Sequence, residues 1–133
     1  MKSLLICISL LFFNCSLSEL ISPDNGEIKI ISITPSEAFV SDSTDFSITY
    51  SYNLKDIETA NVVIKGTINH PDSSIQIGKQ WIDETSGEKT MSFKLLIPST
   101  NLSQTITFTA ILQEESFIPR EFDSHSKTID LLR

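Results

Sequence analysis

Few side chains in this sequence could carry out chemistry, and their spacing suits it poorly. There are two histidines: His70 precedes Pro71 in a turn-like stretch, and His125 sits in Asp123-Ser124-His125-Ser126. The second stretch holds the residue types of a hydrolytic triad, but nucleophilic catalysis needs a base held against its nucleophile. Neighbours in an extended chain point to opposite faces. Adjacency is therefore the wrong geometry, and both histidines read as loop residues. Gly-x-Ser-x-Gly, a glycine-rich phosphate loop and His-Glu-x-x-His do not occur in the sequence. Acids gather at Asp42 with Asp45, at Asp83-Glu84 with Glu88, and at Glu114-Glu115. Calcium takes about six to eight oxygens from a concave loop, and Asp83 to Glu88 is the best candidate because Gly87 permits a tight turn. A solvated hairpin turn between two strands is the simpler reading of that stretch. Glu114-Glu115 is expected to keep a strand end soluble and to block edge pairing. No catalytic residue, metal site or cofactor is expected.

The two cysteines, Cys7 and Cys15, both fall near the start of the chain. Lys2 precedes ten residues, Leu4 to Phe13, of which only Ser9 is polar. A short basic region before an apolar core of this length is the pattern of an export signal; a membrane-spanning helix needs about 20 apolar residues. Ser16-Leu17-Ser18 offers one cut, leaving a soluble chain that begins at Glu19 and holds no cysteine. The other cut uses Cys15. Leu11-Phe12-Phe13-Asn14-Cys15-Ser16 resembles the lipobox of bacterial lipoproteins, in the looser spirochaete-type form that tolerates Asn14 where Gly or Ala is usual. That resemblance implies a diacylglyceryl group on the Cys15 thiol and a mature chain beginning there, which also removes a reactive thiol from an exported protein. The expected organisation is a signal peptide over 1–14, a lipidated N-terminus and flexible tether over 15–26, and one domain over 27–133. The tether carries Pro23 and Asn25-Gly26 and spans at most roughly 40 Å.

From Glu27 onward the sequence alternates with the two-residue period of half-buried strands. Phe46, Ile48, Tyr50, Tyr52 and Leu54 form one apolar row; Met91, Phe93, Leu95 and Ile97 a second; Ile106, Phe108, Ala110 and Leu112 a third. Weaker strands are expected over Ile28–Ile33, Asn61–Ile68, Ile75–Ile82 and Lys127–Leu132. The first has apolar residues on both parities, which suits a strand that changes sheet at a bulge. Turn residues separate the strands at Pro35-Ser36, Leu54–Glu58, His70-Pro71-Asp72, Thr85-Ser86-Gly87 and Pro98-Ser99-Thr100. No window has the spacing of a long amphipathic helix.

The fold class is therefore all-β. About seven short strands in this order suit an antiparallel sandwich, and the three best rows take the second, fifth and sixth places. The pattern resembles immunoglobulin-like domains, and Leu102 to Phe108 is similar to the entry into the sixth strand of fibronectin type III domains. Phe108 stands where that family has a tyrosine, so the hydroxyl that ties the corner is missing. The cysteine pair and third-strand tryptophan of antibody domains are absent as well. An eight-stranded jelly roll or small closed barrel is the alternative.

Composition narrows the function without naming it. Seventeen Asp plus Glu stand against ten Lys plus Arg, a net charge of −7, so the basic footprint of a nucleic-acid binder is missing. Four Gly and five Pro exclude collagen-like and Pro/Gly-rich disordered classes. Asn101-Leu102-Ser103 is a glycosylation sequon without meaning in a bacterial host. One connection stands out: Ser116-Phe117-Ile118-Pro119-Arg120-Glu121-Phe122-Asp123 places two Phe and an Ile between the last two strands. Phe117, Ile118, Arg120 and Phe122 form a candidate ligand-contact loop, although Phe117 and Phe122 folded back over the core is the simpler expectation. Trp81 is a second contact candidate, but it shares a parity with Ile75 and Ile77 that assigns it to the core. The expectation is a lipid-anchored envelope protein, non-enzymatic, with a binding, adhesion or structural role. It would touch the membrane through its lipid and take a protein or glycan partner. A secreted domain cut after Ser18 and an accessory of a carbohydrate-processing system are the alternatives.

Overall fold

A computed structural model describes residues 26–68, 74–98 and 104–133. They form eight strands: β1 (Glu27–Thr34), β2 (Glu37–Phe39), β3 (Ser43–Asn53), β4 (Ala60–Ile68), β5 (Ser74–Ile82), β6 (Ser86–Leu96), β7 (Thr105–Gln113) and β8 (Glu121–Leu132). One sheet has the order β1-β3-β6 and the other β2-β8-β7-β4-β5. The sheets face each other across one apolar core, so the fold is a two-sheet β-sandwich. The expected first strand is in fact two. Pro35 has no N–H to give to a ladder, and β1 stops just before it. The chain then crosses to the other sheet, where β2 runs parallel to β8 with Ala38 opposite Leu131. The mixed parity of the first strand has its own cause: Ile30 faces Tyr50 but Ser32 faces Thr49, which leaves Ile31 as an extra residue. That bulge lets Ile28, Ile30 and Ile33 all turn inward.

Three phenylalanines lock the sheets together. Phe46 and Phe93 are cross-strand partners in β3 and β6, with ring centroids 5.7 Å apart. Phe108 from β7 meets them at 5.2 and 5.6 Å, the tilted geometry that ring quadrupoles favour. Phe108 thus serves as a core residue. Farther along β3, Tyr50 is wholly buried and its hydroxyl donates to Gln80 Oε1 at 2.6 Å. A side chain at Gly78 would collide with the Met91 sulfur, so the glycine lets β6 lie close over β5.

Several expectations change at this level. The Asp83–Thr85 link joins strands of different sheets, so it is a crossover between sheets rather than a hairpin turn. β7 lies between β8 and β4, so Glu114-Glu115 guards no edge. His125 belongs to β8, which begins at Glu121 rather than Lys127. Trp81 is 47% exposed instead of packed in the core. The reason is a second bulge: Ile64 faces Gly78 but Lys65 faces Gln76, so Ile77 is the extra residue. Beyond it the parity reverses. Ile82 and Gln80 point inward, and Trp81 points out. Cys7, Cys15 and the lipobox, His70-Pro71-Asp72, Ser99-Thr100 and the Asn101-Leu102-Ser103 stretch lie outside the described residues.

Candidate functional site

The residue types that looked catalytic hold the sandwich together. Asp123 and His125 share one face of β8, and Ser124 between them faces the other way, as alternation requires. Asp123 Oδ2 accepts the Ile28 N–H at 2.8 Å, and His125 Nδ1 accepts the Ile30 N–H at 3.1 Å. Two residues farther on, Lys127 Nζ donates to the Ile31 carbonyl at 3.1 Å. β1 is an edge strand of its sheet, and these side chains take up backbone groups that its ladder leaves free. Beside the clamp lies a cleft of about 480 Å³ between Glu27, Lys29, Tyr52, Asn53, Asp123 and His125. Burial, and then the carboxylate of Glu84, push the Tyr52 phenol above its ordinary pKa; its hydroxyl donates to Glu84 Oε2 at 3.4 Å. Among the described residues no three of His, Cys, Asp and Glu converge on a point where a metal ion could sit.

The more open chemistry is at the end where β1 begins. There the chain enters at Gly26, β3 passes to β4, β5 crosses to β6, and β7 turns into β8. The last of these turns is closed by the Glu114 N–H donating to the Arg120 carbonyl at 2.8 Å. Between those residues Phe117 is 101% exposed and Ile118 82% exposed. Arg120 lies over the ring of Phe122 at 5.2 Å, and Phe122 packs against the core. The four residues read as one contact loop thus separate. Phe117 and Ile118 stand in solvent, Arg120 is exposed but rests on Phe122, and Phe122 is structural. Phe117 does not fold back over the core, because the β7–β8 pairing already closes beneath it.

No family model and no curated protein matches the sequence.

A second surface at the same end escaped the sequence reading. Four strands of the larger sheet place Trp81, Asn61, Gln113 and Glu121 in one cross-strand row. The parity of β4 sends this row to the outer face, since Val62 and Ile64 on either side of Val63 belong to the core. In the next row Val63 and Ile111 are cross-strand partners, 1% and 8% exposed. Lys79, the cross-strand partner of Val63, pairs with Glu115 at 3.4 Å. Asn61 is 2% exposed, and its Nδ2 has no hydrogen-bond partner. Such an orphan donor costs about 1–3 kcal/mol. Its only trace in the sequence is an amide set just before Val62-Val63-Ile64.

Proposed function

We propose that this chain is an exported, lipid-anchored binding module of a bacterial envelope, without enzymatic activity, that presents the β7–β8 tip to its partner. The anchor follows from the lipobox-like stretch around Cys15. A diacylated or triacylated N-terminus supplies the two or more hydrophobic chains that stable attachment needs. The observation that carries the binding role is the pair Phe117 and Ile118, fully exposed on a turn whose base is hydrogen-bonded and packed. Two large apolar side chains held in water by a rigid scaffold lower no energy in the isolated domain, but they supply the apolar anchor of an interface. The side chains that could have served catalysis, Asp123 and His125, are committed to β1.

The anchor is tested by mass spectrometry of the mature N-terminus together with detergent-phase partitioning. Acylated Cys15 in the detergent phase, and a Cys15→Ala variant that leaves it, are the expected results. A free Glu19 would mean cleavage after Ser18 and a soluble secreted domain. For the binding role the variant is Phe117→Ser with Ile118→Ser, and Phe122 is left in place because it also packs the core. Loss of partner capture in a pull-down with unchanged stability is expected; unchanged capture removes the tip from the interface.

A further inference from the structure

We propose that the outer face of the larger sheet, at Trp81, is a binding site for a neutral sugar ring. The observations draw neither on the lipid anchor nor on Phe117 and Ile118. Trp81 is the sole tryptophan in the chain, and nearly half of its surface is in solvent on a strand at the sheet edge. Directly across from it stands Asn61, buried, with its Nδ2 donor unpartnered. Gln113 follows in the same row, and the partly exposed Lys79–Glu115 pair flanks it.

A pyranose has the complementary chemistry. Its axial C–H face is apolar and stacks on an indole plane, whose negative π face attracts the polarised hydrogens. Its rim carries hydroxyls, each both donor and acceptor. A hydroxyl oxygen would give Asn61 Nδ2 the acceptor that the protein does not provide. The Gln113 amide and the Glu115 carboxylate offer acceptors to the hydroxyl protons. Asn61 is covered in the free protein, and the side chain facing it across β4–β5 is Trp81. Among the described residues β5 is the last strand of its sheet, and the proposal requires the Trp81 indole to turn aside as the ring enters.

A protein partner fits this face less well. The core of a protein interface gathers several apolar or aromatic side chains. Here the indole stands among amides and charges, and Val63 and Ile111 beneath are already covered. A lone aromatic plate with a polar rim suits one sugar ring.

The sole tryptophan makes the test direct, because its emission reports on this site alone. The purified protein is titrated with methyl glucoside, methyl galactoside and N-acetylglucosamine, and with short β-linked oligomers of each. At least one is expected to give a saturable emission shift, with a monosaccharide dissociation constant of about millimolar order. Asn61→Ala is expected to weaken it about threefold to tenfold, the worth of one hydrogen bond. Trp81→Ala, followed by line broadening of the sugar protons because the fluorophore is gone, is expected to abolish binding while circular dichroism stays unchanged. No saturation with any of these sugars would overturn the proposal. So would equal broadening by Trp81→Ala, or a shift given by an apolar peptide and by no sugar.

Discussion

His125 Nδ1 accepts the backbone N–H of Ile30 at 3.1 Å, across a sequence separation of 95 residues. With Asp123 on Ile28, this bond ties the last strand to the first and seals a corner of the sandwich where no ladder runs. His125→Ala and Asp123→Ala should each lower stability by about 1–2 kcal/mol, the cost of leaving a partly buried donor unpaired. Asp123→Asn, whose amide oxygen still accepts, should lose less. Urea unfolding midpoints at constant slope measure this; no change in either alanine variant would make the clamp energetically idle.

Alkaline pH should unfold the domain through Tyr50. Its phenol is raised above the ordinary 10.0, first by burial and then by the neighbouring Tyr52, and its hydroxyl donates to Gln80 Oε1. A raised folded-state value means that the folded chain holds protons the unfolded chain has lost. Its stabilisation is whole below the unfolded value and declines as pH climbs above it. Urea midpoints should therefore be level near neutrality and fall beyond about pH 10. Tyr50→Phe should make that fall shallower, leaving the contribution of Tyr52, which is also raised. An equal fall in wild type and variant would place the effect elsewhere.

The two phenylalanines of the β7–β8 turn should behave in opposite ways. Phe117→Ser removes a side chain that touches nothing and should change stability by less than about 0.5 kcal/mol. Phe122→Ser takes a packed ring from the core margin and from beneath Arg120, and should cost about 1–3 kcal/mol. Thermal midpoints of the two variants side by side decide the matter, and equal shifts would contradict the assignment.

Phe108→Ala should cost about 3–5 kcal/mol, because it opens a cavity between Phe46 and Phe93 where the sheets meet. Dithiothreitol, by contrast, should leave the thermal midpoint of the folded domain unmoved. Both cysteines precede residue 26, so no described strand depends on a crosslink. A midpoint that fell with reductant would disprove this.

The sequence was sufficient for the class of fold and the places of most of its strands, although β2 and the first half of β8 were not legible in it. Side-chain parity is a local property, and the rows Phe46–Leu54, Met91–Ile97 and Ile106–Leu112 declare their inward faces without help from other strands. Parity also fails locally, at a bulge. Ile31 and Ile77 each insert one residue against a partner strand, and a bulge exists only relative to that partner. Ile75, Ile77 and Trp81 therefore look like one face in the sequence, while pairing with β4 turns Trp81 outward. The roles of Asp123 and His125 were out of reach for a related reason. Alternation places both on one face, but the free N–H groups they meet belong to a strand at the far end of the chain. Only the closing of the two sheets brings that edge within hydrogen-bond distance. Pairing within the larger sheet sets Asn61 between Trp81 and Gln113, because a cross-strand row is a property of registers that three separate stretches of sequence must share.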